Sequence, residues 1–281
     1  MTDSTTAAHE SRDGDPVLSF SGTTPYEDYV RASVLSSLQR PLTDDPVEMS
    51  FLVTTQVMEL WFTLIVNEWR AAREALIKDD HDAAMAALRR SLNAHRALND
   101  SWRPIAALTP AQFNGFRAAF GQASGFQSAQ YRRMEFLLGD KSRSMVQPHR
   151  GHPEVREALE ESLTEPSLYD EVLRHLHRRG LPVPQHVLER DVTLAHEPDA
   201  GVEEAWRLVY AGPQQDPLVA LGELLTDLAE TVLRWRADHL MATRRAMGSK
   251  TGSGGSPGVA WLEKRAARPV FPELWTARGH V

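Results

Sequence analysis

The 281-residue chain contains no cysteine, which excludes disulfide bonds, thiolate metal sites and cysteine nucleophiles. Any metal must therefore be held by histidine, by carboxylates or within a cofactor. The N-terminus lacks the apolar core of a signal peptide, and no stretch approaches the roughly 18 uninterrupted apolar residues that a membrane span needs. We therefore expect a cytoplasmic protein that does not associate with a membrane.

An excess of positive charge is also missing. The chain has 31 Lys and Arg against 38 Asp and Glu, a net charge of −7, which argues against nucleic acid or an anionic membrane as the main partner. Strand signals are lacking too, because no convincing period-two alternation and no Asn-Gly or Asp-Gly hairpin turn between apolar runs is present. The absences leave an all-α protein as the expected fold class.

Helical periodicity runs through nearly the whole chain, with Pro and Gly between the periodic segments. Asp45-Pro46 and Asp216-Pro217 begin the two longest predicted helices, since Asp suits an N-cap and Pro the first helical position. These helices are predicted to end near Ile77 and Met247. The pattern predicts further helices at 80–99, from a capping box at Thr109 to about 121, at 126–138, and as shorter pieces within 153–202.

The segment GSKTGSGGSPGV, residues 248–259, has the composition of a flexible linker, and a ligand-covering loop is the alternative. The tail that follows it is rich in large apolar groups, which favours an ordered loop tied down on both sides. No repeat or shift in composition marks a second domain. We predict a disordered lead-in at 1–22 and one helical domain over 23–281.

One histidine lies on the apolar face of the last long helix. Seven positions there are spaced by three or four, which is typical of a core-facing seam: Leu218, Leu221, Leu225, Leu228, Val232, Trp235 and His239. A buried imidazole needs a partner for each ring nitrogen. A haem iron could be one such partner, and a hydrogen-bonded core histidine is the alternative that the pattern leaves open.

Two other patterns predict which residues lie at the surface and which helix lies in the core. His175 and His177 lie two residues apart on a shorter helix and do not share a face, so we expect both at the surface. Phe51 and Thr55 are four apart and share a face of the helix FLVTTQVMELWFTLIV, which is apolar in most directions. Such a helix is buried on several sides, so we expect it at the centre of the core.

Three segments resemble tryptophan 2,3-dioxygenase in order and spacing: FLVTTQVMELWFTLIVNEWRAA (51–72), TPAQFNGFRAAFGQASGFQSAQYRRMEFLLG (109–139) and HLMATRRAMGSKTGSGGSPGVAWL (239–262). The likeness extends to YEDY at 26–29, PSLYDEVLRHLHRRG and the FPELW ending, and covers nearly all of the chain after residue 25. It implies an all-helical homotetramer that binds haem b between long helices. It also implies insertion of both atoms of O2 across the indole C2–C3 bond.

The resemblance implies roles for individual residues. His239 matches the proximal haem ligand, Arg117 the arginine that clamps the substrate carboxylate, and Phe51 the aromatic group that packs on the indole. A guanidinium fork suits a planar carboxylate. The remaining matches are Ser124 and Gly125 beside the haem edge, Ser253 near the substrate ammonium group, and Tyr26 and Tyr29, which reach a neighbouring subunit's pocket.

The chain departs from the family at three positions. Thr55 replaces a distal histidine that accepts a hydrogen bond from the indole N–H, and Phe113 replaces a tyrosine that assists the carboxylate clamp. Ser253 stands where a threonine is usual. The first two changes remove polar contacts, each worth about 0.5–1.5 kcal/mol, and Thr55 leaves a roomier pocket.

The leading hypothesis is therefore a ferrous-haem dioxygenase using O2. Its substrate is tryptophan or, in preference, a modified tryptophan or indole-3-pyruvate derivative. Opening of the pyrrole ring would give an N-formylkynurenine-type product. The reaction would serve specialised natural-product biosynthesis. A haem-dependent monooxygenase of an aromatic amino acid is one alternative, since a lost distal group alters proton delivery to oxygen. A non-enzymatic haem-binding protein is another, and Arg117 argues against it because a carboxylate clamp has no purpose there.

Overall fold

Helices supply all the regular secondary structure in the part of the chain that this computed structural model describes, residues 17–253, 255 and 258–281. The predicted all-α class is confirmed. The chain divides into two units, one ending at Pro41 and one running from Leu42 to Val281. Most of the predicted lead-in at 1–22 lies outside the described residues, so its disorder stays a prediction.

The first unit contains two short helices, α1 (Pro25–Val30) and α2 (Ala32–Leu35), and neither has a buried residue. The Thr24 hydroxyl caps α1 by accepting the Glu27 backbone N–H at 3.1 Å. Its large apolar side chains remain in solvent, with Tyr29 90% exposed. This unit therefore has no hydrophobic core of its own.

The second unit is a helical domain built around two long helices. Its α-helices are α3 (Glu48–Ile77), α4 (His81–Asp100), α5 (Arg103–Ala106), α6 (Pro110–Arg117), α7 (Ala129–Leu137), α8 (Pro153–Thr164), α9 (Leu168–Arg178), α10 (Gln185–Leu188), α11 (Ala200–Ala211), α12 (Pro217–Met247), α13 (Val259–Ala266) and α14 (Pro272–Ala277). Single 3-10 turns or short 3-10 runs cover Ala118–Phe120, Gly125–Gln127, Arg143–His149 and Arg278–His280.

Two of the predicted helix starts, at Asp216 and Thr109, are confirmed by their caps. The Asp216 carboxylate accepts the Leu218 backbone N–H at 2.8 Å, Pro217 is the first helical residue, and α12 ends at Met247 as predicted. Thr109 forms its capping box with Gln112 at the start of α6. The prediction that Asp45 caps the first long helix and Pro46 begins it is wrong, because α3 begins at Glu48 with Val47 in the capping position. The Asp45 carboxylate instead accepts the Val47 backbone N–H at 2.9 Å.

The core forms where α3 packs against α4, α7 and α9 while α12 packs against α4. By length and composition alone α3 could also cross a membrane. In the structure it buries Met58, Phe62 and Ile65 and pairs its Glu68 with Arg90, which is the behaviour of a core helix. One stripe of α3 nevertheless stays in solvent, formed by Met49, Val53, Leu60 and Leu64.

The prediction that His175 lies at the surface is wrong. Leu168, Val172 and His175 are spaced four and three along α9, and all three are fully buried. The His175 ring stacks on that of His81, with 5.5 Å between centroids, and its Nδ1 lies 3.1 Å from Asp79 Oδ1. His177 is exposed, as predicted.

Candidate active site

A cavity of about 470 Å³ lies between the two long helices. Phe51, Thr55 and Glu59 line it from α3, and Trp235 and His239 line it from α12. The rest of the wall comes mainly from α5 to α7, the turn at 123–128, and α13. Most of these side chains are apolar, so the cavity suits a largely apolar molecule.

His239 is held in this wall by aromatic rings. The Trp102 ring stacks on the imidazole with 4.9 Å between centroids and 19° between planes, and the Trp235 ring lies 5.5 Å away. Burial lowers the pKa of His239 to about 4, so the imidazole is neutral at pH 7. No described residue hydrogen-bonds it, so the core-histidine alternative lacks its partner. A neutral imidazole with an unengaged nitrogen is the form that binds iron.

The indole N–Hs of Trp102 and Trp235 are also buried without hydrogen-bond partners among the described residues. Buried donors of this kind are normally satisfied. Three unengaged polar groups therefore gather at one place in the cavity wall, which fits a site made to be completed by another molecule.

Thr55 lies on the opposite side of the cavity, on α3. Its hydroxyl donates to the backbone carbonyl of Leu52 at 2.8 Å. Because that single proton is engaged within the helix, Thr55 has no further hydrogen to donate to a ligand. The hydroxyl oxygen remains a weak acceptor at most.

Four phenylalanines pack together around Phe51: Phe51, Phe113, Phe116 and Phe120. All but Phe116 line the cavity. Phe51 stacks on Phe120 at 5.0 Å between centroids, and Phe113 lies 5.8 Å from Phe51. Such offset and tilted pairs are favourable arrangements of aromatic rings. The cluster gives this end of the cavity an apolar surface that suits an aromatic ring.

The glycine-rich segment after α12 is tied to α6 and to the 118–123 turn. Arg117 donates to the Thr251 carbonyl at 2.6 Å, Lys250 to the Asn114 side chain at 3.1 Å, and Ser253 to the Ala123 carbonyl at 2.5 Å. The expectation of a fastened loop is confirmed for residues 250–253, and its fastening on the far side stays a prediction.

One glycine of this loop is required by the backbone. Gly258 has φ of 63°, and a Cβ there would lie 2.5 Å from the carbonyl oxygen of Lys250. Only glycine fits such a position, so the two ends of the loop can approach each other.

Most of the predicted site residues meet at the cavity. Those that line it are Phe51, Thr55, Phe113, Ser124, Gly125, His239 and Ser253. Arg117 does not line the cavity but lies under the loop with Thr251 as its partner, so its role as a carboxylate clamp stays a prediction. Tyr26 and Tyr29 belong to the first unit and are exposed.

Sequence reasoning missed a group of buried charges at the cavity. Arg132 pairs with Glu135, and Arg265 pairs with both Glu135 and Asp140, the latter at 2.9 Å. Arg236 lies 3.7 Å from Glu135. The i,i+3 spacing of Arg132 and Glu135 is also that of an ordinary surface pair, so only the tertiary structure shows that both are buried.

Together these features define a protein that is helical throughout its described part, with a largely apolar cavity and a neutral histidine in the cavity wall. The family model of tryptophan 2,3-dioxygenase matches residues 10–211 and 207–281. The chain is 40% identical over 274 residues to the tryptophan 2,3-dioxygenase of Bradyrhizobium diazoefficiens, covering 95% of this chain and 98% of the relative.

Two further tryptophan 2,3-dioxygenases show similar agreement. That of Burkholderia ambifaria is 40% identical, over 97% of this chain and 89% of the relative, and that of Pseudomonas aeruginosa is 39% identical, over 94% and 92%. The chain belongs to the tryptophan 2,3-dioxygenase family, whose members are oxidoreductases.

Proposed function

We propose that the chain is a haem-dependent dioxygenase that opens the pyrrole ring of a tryptophan-type indole, and that its substrate is a modified tryptophan or indole-3-pyruvate derivative. The observation that carries the proposal is the neutral, unengaged imidazole of His239 in an apolar cavity between two long helices. The residues present fit haem b, because a largely apolar cavity, a neutral histidine and an aromatic wall match its needs. Ferrous haem, when bound, supplies the activation of O2.

The chain's own residues bind the cofactor and the substrate and orient them. His239 would hold the iron, and its stacking on Trp102 fixes the plane of the imidazole. Ser124 and Gly125, which line the same cavity, would help to hold the haem. The phenylalanine cluster packs on the indole ring and excludes water from it.

Two other residues hold the amino-acid end of the substrate. Arg117 exchanges the Thr251 carbonyl for the substrate carboxylate, which accepts two hydrogen bonds from the guanidinium fork. Ser253 lies near the substrate ammonium group. The loop that carries Thr251 and Ser253 then covers the bound molecule.

Two features support a modified substrate. The Thr55 proton is engaged by the Leu52 carbonyl, and Phe113, packed against Phe51, has no hydroxyl. An unmodified tryptophan would therefore find fewer hydrogen bonds than in a site with histidine and tyrosine at these positions. A methyl group on the indole would gain apolar contact instead. Such a preference fits a role in specialised biosynthesis.

The test is a reaction of the ferrous holoenzyme with ¹⁸O₂ and a series of tryptophans, followed by mass spectrometry of the products. Two labelled atoms in one ring-opened product are expected. One labelled atom would instead establish the monooxygenase alternative. Full haem binding with no turnover of any indole would favour the non-enzymatic haem protein.

The same proposal includes a cytoplasmic homotetramer. The first unit has no core, and Leu18, Tyr26 and Tyr29 are exposed together with the apolar stripe of α3. Exposed apolar surface of this extent marks an interaction site, and a second copy of the chain would cover it. Light scattering after gel filtration should give four times 31.4 kDa, and a monomer would contradict this part of the proposal.

A further inference from the structure

Glu59 lies in the cavity wall one helical turn after Thr55. Residues four apart on a helix share a face, and both line the cavity. Among the α3 side chains that line the cavity, two are polar: a threonine whose proton is already engaged and a carboxyl group. The carboxyl group is partly buried and is the more reactive of the two.

The other charged side chains of the wall are compensated by opposite charges. Arg132 and Arg265 pair with Glu135, Arg265 also pairs with Asp140, and Arg236 lies 3.7 Å from both carboxylates. Glu59 has no cationic partner in the described part of the chain. The Ser128 side chain, in the turn that also lines the cavity, lowers the pKa of Glu59.

Three groups on this wall could exchange a proton with a ligand: Glu59, Tyr131 and His239. His239 is engaged once it binds iron. Burial raises the pKa of Tyr131 above its ordinary range, so the phenol keeps its proton. Burial also raises the pKa of Glu59, and the hydrogen bond from Ser128 opposes this by favouring the carboxylate. Glu59 is the group left to take up and release a proton.

We propose that Glu59 is the proton-exchanging group of this cavity, acting where a family member with a distal histidine has an imidazole at position 55. The inference rests on the proposed function, since it requires haem beside His239. The Glu59 carboxylate accepts a proton from an acid entering the cavity, directly or through one water molecule. The resulting carboxylic acid then returns that proton to the ligand or to solvent.

Cyanide binding to the ferric holoenzyme tests this without turnover. Hydrogen cyanide must give up its proton to bind as the anion, and a positioned base accelerates such a transfer by roughly a hundredfold or more. The rate is followed by the Soret band at pH 5 to 9. In the wild type it should rise with pH through one midpoint, which reports the ionisation of Glu59.

Three variants make the test specific. Glu59→Gln should slow binding by roughly a hundredfold and remove the midpoint. Ser128→Ala should keep the rate at high pH but move the midpoint upward, because the lost hydrogen bond stabilised the carboxylate. Glu157→Gln, an exposed position on α8, is the matched control and should behave as the wild type.

A Glu59→Gln protein that holds full haem and keeps both the rate and the midpoint would overturn the inference while leaving the proposed function in place. A wild type that fails to bind haem would overturn the proposed function instead. If Glu59→Gln does not fold, Ser128→Ala decides: an unmoved midpoint refutes the role of Glu59, and an upward shift supports it.

Discussion

The exchange Thr55→His tests the substrate preference directly. In the structure the Thr55 hydroxyl donates to the Leu52 carbonyl at 2.8 Å, so its proton is unavailable to a substrate. Threonine is also smaller than histidine, which leaves space in the cavity for a methyl group at C2 or N1 of the indole. Burying one methyl group is worth about 0.8 kcal/mol, or roughly a fourfold preference. We expect the wild type to accept the methylated indoles at least as well as tryptophan.

Thr55→His should reverse this preference, because the imidazole refills the space and restores an acceptor for the indole N–H. The restored hydrogen bond favours plain tryptophan by about 0.5–1.5 kcal/mol. The measurement is the ratio of kcat/KM for methylated and plain tryptophan in both holoenzymes. Thr55→Val keeps the shape of threonine and should keep the wild-type ratio. A wild type that prefers plain tryptophan tenfold, with a ratio that Thr55→His leaves unchanged, would refute the reasoning.

Three further predictions concern single residues. His239→Ala should fold but lose stoichiometric haem, and an unchanged absorption spectrum with full haem would contradict its role as ligand. Arg117→Lys keeps the charge but loses the fork, so substrate affinity should fall clearly; equal affinity of the wild type for a substrate and its decarboxylated analogue would argue against a clamp. Burial lowers the pKa of His95 to about 3. Between pH 6.5 and 3 the His95 imidazole therefore gains a proton in the unfolded chain but not in the folded one, so the free energy of unfolding falls as the pH drops through this range. Between pH 6.5 and 5 this lowers the free energy of unfolding of the wild type by about 1.6 kcal/mol relative to His95→Leu, as urea titrations at both pH values would show.

The features that could be predicted from the sequence are those that depend on neighbours along the chain. Asp216 and Pro217 start α12 through a local cap, and the spacing from Leu218 to His239 places the histidine on the inner face. Both follow from helical geometry. His175 follows the same rule, since its spacing from Leu168 and Val172 is that of a buried helix face, whereas its distance of two from His177 shows only that the two histidines do not share a face.

The features that could not be predicted are those in which distant segments meet. Trp102 precedes the short helix α5, yet its ring stacks on His239, 137 positions later. In the sequence, Glu59 is one polar residue in an apolar helix. Its neighbours along the chain do not indicate that Ser128 influences its pKa. The contact of Arg117 with Thr251 likewise joins two segments that only the tertiary structure brings together.

Position 55 influences two properties of the cavity that can be separated by experiment. One is the shape and hydrogen bonding offered to the indole, which depends on Thr55 and the apolar cluster around Phe51. The other is the supply of protons, which in the absence of an imidazole depends on Glu59. Thr55→Val should leave both unchanged, and Glu59→Gln should alter proton transfer while keeping the preference between methylated and plain indoles. If Glu59→Gln changed that preference as strongly as Thr55→His, the two properties would share one cause, and Glu59 would be in contact with the substrate itself.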